Sequence, residues 1–248
     1  MRKFLLSLAL PLLSASALSI SAFAQNSLTP FEADYKVLYG DIGLGKAHFS
    51  LPAPEGNYYQ YNFTSELSLL FLSDERSIKS KFRRTDHGLE PMVFIHQRTG
   101  TGSDFSEQVA FLKDKSIVRS NYKGEHVELP FENKLYDTMM VQLQFRQDLI
   151  EGKDALEYHM VKDNEIDDYS FKRMGEEVLN IDGTEYRTLR LEVIRDSKKR
   201  KTVVWMAPDL AYLPVRMTHF EKGDKQLDVQ LTGYRFIDTT PAPLAANP

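Results

Sequence analysis

The sequence predicts a mainly β protein: a curved antiparallel sheet, or a partly open β-barrel or sandwich, of about a dozen strands with one covering α-helix. Three observations predict this class. Apolar and polar residues alternate with a period of two through much of the chain, which is typical of half-buried strands. Turn-forming residues recur between these runs, so most connections are short and neighbouring strands are antiparallel. Only one segment has the apolar spacing of a helix.

The clearest alternating runs are distributed from one end of the chain to the other. In the first of them, Phe31, Ala33 and Tyr35 alternate with charged residues, which gives the strand one apolar face. Similar runs occupy residues 59–69, 189–193 and 227–231. Turn signals separate the runs: PEGN at 54–57, DHG at 86–88, KG at 123–124, DG at 182–183 and KGD at 222–224. The glycines of GDIGLG, at 40–45, predict a β-turn or bulge.

The helical segment extends from Leu135 to Leu149, with apolar residues at positions 136, 139, 140 and 143. Asp137 is well placed to cap its amino terminus, and Glu151-Gly152 is expected to end it. A solitary amphipathic helix in an antiparallel β protein usually covers an open face or plugs the mouth of a curved sheet. The same position is therefore expected here.

The first 24 residues have the layout of a secretory signal peptide. Arg2 and Lys3 precede an apolar run, and small residues lead to Ala22-Phe23-Ala24, which matches an A-x-A cleavage site. Cleavage after Ala24 predicts a periplasmic protein, and no later segment approaches the ~20 apolar residues that a membrane helix requires. We expect one β-rich domain over residues 28–237 and a disordered tail over residues 238–248.

Composition excludes several kinds of chemistry. The chain has no cysteine, which rules out disulfides, thiol catalysis and thiolate metal sites. Its formal net charge of −4, with both signs well mixed, argues against general nucleic-acid binding. The six histidines are scattered and lack metal-ligand spacing. No nucleophile elbow, phosphate loop or dinucleotide fingerprint occurs, so the sequence predicts no catalytic residue, no metal site and no cofactor.

Two charged runs have simple structural interpretations. The acidic run from Lys162 to Tyr169 departs from a calcium loop, because Asp168 replaces the required glycine and Met174 the required glutamate. A solvated hairpin turn accounts for it better. The basic run from Arg195 to Lys201 is interpreted as a charged turn that keeps a sheet edge soluble. The functional alternative is a patch for anionic lipid head groups or glycans.

The stretch WMAPDLAYLPVRM, from Trp205 to Met217, holds the only tryptophan. Pro208 ends one strand because proline offers no backbone donor, and Pro214 starts the next. The stretch therefore predicts a corner between two strands, pinned by two prolines. Whether this corner is functional or only structural stays open at this point.

Three segments in this order resemble the DUF3108 family of bacterial envelope proteins, a domain of unknown function. They are PFEADYKVLYGDIGLGKAHFSL, LYDTMMVQLQF and VVWMAPDLAYLPVRM followed by QLDVQLTGY. The most specific part is W-x-A-P-D-x-x-Y-L-P-V-R, formed here by residues 205–216. The resemblance covers residues 29–236 and implies a secreted β-rich domain without an established activity. A curved sheet with a helical lid is also similar to the periplasmic lipoprotein carriers.

The leading hypothesis is a periplasmic, non-enzymatic protein that binds an amphipathic envelope molecule, either a lipid or a lipid-linked glycan. The sequence has 15 Phe, 12 Tyr and 8 Met, which suit an apolar cavity between sheet and helix. One alternative is an envelope interaction or scaffolding protein that docks a protein partner through an apolar patch near Tyr212. A less favoured alternative is a hydrolase of glycans or esters. The candidate ligand-binding residues are Trp205, Tyr212, Arg216, Met139 and Met140.

Overall fold

The computed structural model describes residues 26–86, 88–131, 134–194 and 199–237. The predicted signal peptide, the predicted tail and part of the basic run, residues 195–198, lie outside these ranges. The described strands are β1 (Phe31–Tyr39), β2 (Ile42–Leu51), β3 (Tyr58–Leu69), β4 (Leu72–Thr85), β5 (Gly88–Gly100), β6 (Phe105–Leu112), β7 (Ile117–Tyr122), β8 (Glu125–Pro130), β9 (Leu135–Asp137), β10 (Glu157–Lys162), β11 (Glu165–Ile181), β12 (Thr184–Ile194), β13 (Arg200–Ala207), β14 (Leu213–Glu221) and β15 (Asp224–Phe236). Among these residues there is one α-helix, α1 (Met140–Ile150).

All fifteen strands form one curved, unclosed sheet. Their order is β8-β7-β6-β5-β4-β3-β2-β1-β15-β14-β13-β12-β11-β10-β9, so two meanders meet at the antiparallel pair of β1 and β15. Phe31 pairs with Phe236, and the backbone N–H of Ile237 donates to the carbonyl of Pro30 over 2.8 Å. The two ends of the described chain therefore meet in the middle of the sheet.

The predicted fold class is confirmed, and the alternating runs form the predicted strands. In β1, Phe31, Ala33, Tyr35 and Val37 are buried while the residues between them are not. This alternation directs one face of each strand into the concave side of the sheet. The predicted bulge at residues 40–45 is also present, since the pairing of β1 with β2 shifts register between Val37 and Leu38.

The helix is shorter than the sequence predicts, and the interval from Leu135 to Asp137 is a strand instead. These three residues are buried and pair in parallel with β10, from His159 to Val161. Tertiary pairing thus overrides the helical spacing of the local sequence. The expected amphipathicity is also wrong, because Arg146 and Asp148 are buried together with the apolar residues of α1. The helix lies within the curve of the sheet.

The β9–β10 end of the sheet approaches strands β4, β6 and β8 of the other meander, and no backbone ladder joins the two parts among the described strands. The hydroxyl of Ser80, on β4, donates to the Asp137 carboxylate of β9 over 2.6 Å. The backbone N–H of Asp163 donates to the Glu107 carboxylate over 2.8 Å, and the side-chain amide of Asn164 donates to the carbonyl of Glu125 over 3.0 Å. Side chains therefore bridge the gap that a closed ladder would fill.

Because the strands form meanders, alternate hairpin turns lie at the same end of the sheet. We call one end of the sheet the upper rim; it carries the turns Gly40–Asp41, Leu70–Phe71, Thr101–Asp104, Lys123–Gly124, Asp163–Asn164 and Lys222–Gly223. The corner between β13 and β14 lies at the opposite end. The distal part of the β11–β12 hairpin folds over the outer face, where Asp182 pairs with Lys36 over 2.7 Å.

Candidate functional site

A cavity of about 680 Å³ lies between α1 and the concave face of the sheet. Strands from both meanders contribute to its wall, and most of the lining side chains are apolar or aromatic. On the helix, the lining residues Val141, Gln142, Phe145 and Arg146 are spaced so that they share one face, and Thr138 lines the cavity just before the helix begins. A concave, mainly apolar site of this size is typical of small-molecule binding.

The cavity opens at the upper rim. Its exposed lining residues are Lys162, Asp167, Asp168 and Ile194, at the rim ends of β10, β11 and β12. The predicted hairpin turn in this acidic run is confirmed, since β10 and β11 pair across Asp163–Asn164. At the opposite end, which we call the closed end, the lining residues Tyr35, Tyr61, Arg146 and Met206 are buried.

Arg146 is the principal charged group of the closed end. Its side chain is 2% exposed, and its guanidinium carbon lies 4.8 Å from the centre of the Phe31 ring. Its Nε donates to the carbonyl of Ala211 over 3.1 Å. Both terminal nitrogens, Nη1 and Nη2, are buried and have no hydrogen-bond partner within the described residues. Buried charged groups are normally paired, so these two nitrogens need an acceptor.

The nearest titratable groups do not neutralise this charge. Burial lowers the pKa of the Arg146 guanidinium, while Tyr61 and Tyr35 act in the opposite direction. An arginine nevertheless stays protonated. Burial raises the pKa of both tyrosines well above the ordinary value, so both phenols are neutral at neutral pH. The Tyr35 hydroxyl donates to the carbonyl of Pro214 over 2.9 Å.

The corner between β13 and β14 explains how these groups are held. Pro208–Leu210 forms a 3₁₀ turn, and Ala211 and Tyr212 have positive φ angles of 50° and 54°. The predicted corner is thus present. Its carbonyls at Ala211 and Pro214 accept hydrogen bonds from Arg146 and Tyr35 respectively. The most specific segment of the sequence therefore holds two side chains of the closed end of the cavity in place.

The amino terminus of α1 is fixed by Asp137, as the sequence predicts. One carboxylate oxygen accepts the backbone N–H groups of Met139 and Met140 over 2.9 and 2.8 Å, and the other accepts the hydroxyl of Ser80. Burial raises the pKa of Asp137 to about 6, although the hydrogen bonds from Ser80 and the two amides lower it.

Asp137→Asn is expected to change how stability depends on pH. The folded-state pKa of about 6 exceeds the unfolded value of about 3.9, so the contribution of Asp137 to stability falls as pH rises from about 4 to about 6. Asparagine keeps an acceptor for the helix amides but does not titrate. Relative to the variant, the wild type should lose about 3 kcal/mol of unfolding free energy across this interval. Urea unfolding at pH 4, 5, 6 and 7 measures this, and parallel pH profiles would contradict it.

The five predicted ligand-binding residues are not brought together at the cavity. Met139 and Met140 are buried in the core and do not line the cavity; of the five residues only Arg216 borders it, and its guanidinium is directed toward Trp205 and Asp228. Val204 lines the cavity, so alternation directs Trp205 to the opposite face of β13. Tyr212 is half-buried, packed against the core. A binding role for these five residues stays a prediction.

Trp205 and Arg216 belong to a polar cluster on the outer face. The indole N–H of Trp205 donates to the Glu177 carboxylate, and the Arg216 guanidinium lies 5.4 Å from the indole centre. Arg216 also donates twice to Asp228, over 2.9 and 2.7 Å. Burial raises the pKa of Asp228, but the hydrogen bonds it accepts outweigh this and hold the pKa below its usual range. The guanidinium of Arg216 is therefore already occupied.

Sequence reasoning missed Arg146, Tyr35 and Tyr61 as site residues. The sequence indicates only where these residues lie. Arg146 is a charged residue on the predicted helix, and the two tyrosines are on the apolar faces of predicted strands. Within the described ranges, no group of three or more histidine, aspartate or glutamate side chains is arranged to hold a metal ion. No helix in the same ranges is long and apolar enough to cross a membrane.

Comparison with known proteins agrees with the sequence resemblance. The family model described as a protein of unknown function (DUF3108) matches residues 34–230. The chain belongs to the DUF3108 family. This DUF3108 chain is also similar in fold to a crystal structure of a β-barrel-like protein of the domain of unknown function DUF1849 from Brucella abortus. The TM-score is 0.56 at 11% identity, and the match covers 85% of the DUF3108 chain and 99% of the Brucella chain. No curated protein matches the sequence.

Proposed function

We propose that this protein is a periplasmic, non-enzymatic binding protein for an amphipathic envelope molecule that carries a carboxylate or phosphate. The observation that carries the proposal is the buried guanidinium of Arg146, with two unpaired nitrogens at the closed end of an apolar cavity. Arginine suits an anion of this kind because its fork of donors matches the paired oxygens of a carboxylate or phosphate.

The cavity wall supports an apolar tail on the same ligand. Phe49, Phe145, Val204 and Met217 line the same cavity as Arg146. An acyl chain placed there would remove apolar surface from water at roughly 25 cal/mol per Å². The cavity volume of about 680 Å³ falls within the usual range for a single small ligand. For the anion of a lipid-linked glycan to reach Arg146, the cavity would have to hold the bulky glycan as well as the acyl chain. This favours the lipid over the lipid-linked glycan.

Closing the cavity should remove the ligand. Val204 is nearly buried in the wall, so Val204→Trp is expected to fill space that the acyl chain requires. Native mass spectrometry of protein from the periplasm should show a discrete mass of lipid size with the wild type and the bare chain with the variant. Val178→Trp, at a position that is 61% exposed and outside the cavity, is the matched control and should keep the added mass.

A second variant that fills the cavity distinguishes loss of binding from loss of folding. Val229→Trp enters the cavity from β15, and circular dichroism checks that both filled variants are folded. Titration with a dansyl-labelled fatty acid then measures binding directly. A wild-type protein that carries no ligand and does not bind this probe would refute the proposed function.

A further inference from the structure

The turn between β3 and β4 exposes apolar side chains to water. Leu70 is 91% exposed and Phe71 is 86% exposed, and both lie in a run of four apolar residues from Leu69 to Leu72. They are the two most exposed large apolar side chains among the described residues. Exposed apolar groups that are contiguous in this way mark interaction sites on soluble proteins.

The neighbouring hairpin, between β5 and β6, holds this turn in place. The backbone N–H of Thr101 donates to the carbonyl of Ser73 over 2.8 Å, and the N–H of Ser73 donates to the Thr101 hydroxyl over 3.0 Å. Gly100 permits this approach, since its φ is +125° and a Cβ there would collide with the Ser73 carbonyl. The fold therefore presents Leu70 and Phe71 on a fixed support.

Polar contacts strengthen the same support. The Arg98 guanidinium donates to the Asp74 carboxylate over 2.5 Å and to the carbonyl of Ser103 over 2.9 Å. Arg76 donates to the same carboxylate over 2.6 Å. These bonds join the bases of the two hairpins directly behind the apolar turn.

The position of this turn relates it to the cavity. It belongs to the upper rim, which is also the end where the cavity opens. Next to it on the rim, Tyr39 and Ile42 flank the β1–β2 turn and are 47% and 56% exposed. The apolar surface at the rim thus continues beyond Leu70 and Phe71.

We propose that the upper rim docks on the surface of a lipid bilayer, with Leu70 and Phe71 inserted among the acyl chains. Two projecting side chains offer on the order of 400 Å². A stable protein interface buries about 800 Å² on each partner, so the turn alone does not supply one. A bilayer needs no complementary shape, and a few inserted apolar side chains give reversible binding. Docking would place the cavity opening at the membrane surface, a consequence that rests on the proposed function.

Vesicle flotation tests the docking surface. The full protein is mixed with vesicles of phosphatidylethanolamine and phosphatidylglycerol and centrifuged through a density gradient. We expect the wild type to float and Leu70→Glu/Phe71→Glu to show a floated fraction at least about tenfold lower. Both residues are exposed, so the double variant should keep the fold. Val178→Glu, which is exposed on the β11–β12 hairpin, is the control and should float like the wild type.

A second readout reports insertion at the residue itself. In Phe71→Trp, vesicles with brominated acyl chains should quench the new tryptophan, whereas the buried Trp205 of the wild type should be unaffected. Failure of the wild type to float, or equal flotation of the double glutamate variant, would overturn the proposal. The proposal would also be overturned if the wild type did not bind vesicles and instead bound a discrete protein partner through the rim.

The two proposals can fail separately. If only the docking proposal is wrong, the cavity variants still fail to bind the dansyl-labelled fatty acid, and the rim variants do not change the fraction of protein that floats with vesicles. If only the proposed function is wrong, the rim variants still abolish flotation while the wild type does not bind the fatty acid.

Discussion

Arg146→Met should stabilise the ligand-free protein by about 2 kcal/mol and at the same time weaken anion binding about a hundredfold. The stabilisation is expected because methionine fills similar space without placing an unpaired cation in an apolar cavity. Loss of the hydrogen bond to Ala211 offsets part of it, by about 1 kcal/mol. The loss of affinity is expected because the ligand anion would have no partner.

Urea unfolding of delipidated protein measures the first effect, and titration with the dansyl-labelled fatty acid measures the second. Arg146→Lys keeps the charge without the planar fork, so its affinity should lie between those of the wild type and Arg146→Met. Arg119→Met is the matched control, since Arg119 is exposed and pairs with exposed Glu128. It should change neither quantity. A less stable Arg146→Met that binds the probe normally would show that Arg146 is purely structural.

Asp228→Ala should cost about 3 kcal/mol of unfolding free energy. Asp228 is 1% exposed and accepts hydrogen bonds from Arg216, Thr218 and Gln230. Alanine would leave these donors without an acceptor on the outer face of the sheet. Arg216→Met/Asp228→Leu, which removes the pair together, should recover most of the loss because buried ion pairs are replaceable by packed apolar residues.

The pH dependence of the same variant gives an independent check. The Asp228 pKa is lowered in the folded protein, so its stabilisation is present above about pH 4 and is lost as pH falls through the folded value. The wild type and Asp228→Ala should therefore converge in stability at low pH. Glu128→Ala is the control: its exposed pair with Arg119 should contribute less than about 1 kcal/mol. A constant difference at every pH would contradict this assignment.

The strands could be predicted because alternation is a local property. Phe31 to Val37 show their buried face in the sequence itself, and the two prolines of the corner mark the boundary between β13 and β14. The strand at Leu135–Asp137 could not be predicted in this way. It exists because β10, which follows it after a whole helix, offers a parallel partner.

The site was harder to predict than the fold because the local pattern does not say which helical face meets the cavity. Met139 and Met140 were predicted from their place on the helical segment, whereas no sequence pattern singled out Arg146. Its burial depends on β1 and on the corner at Ala211, both remote in sequence. The family signature, interpreted as a structural corner, supplies the carbonyl that holds this arginine.

The pairing of β1 with β15 has a consequence for biogenesis. The chain is synthesised from its amino terminus, so β1 is made long before β15 and keeps one unpaired edge until nearly all of the described strands have been made. The β1–β8 meander can assemble from local hairpins during that interval, but the central seam must wait for a contact of very high sequence separation. Such an unpaired strand is prone to aggregation, and the new chain is most in need of a chaperone during that wait.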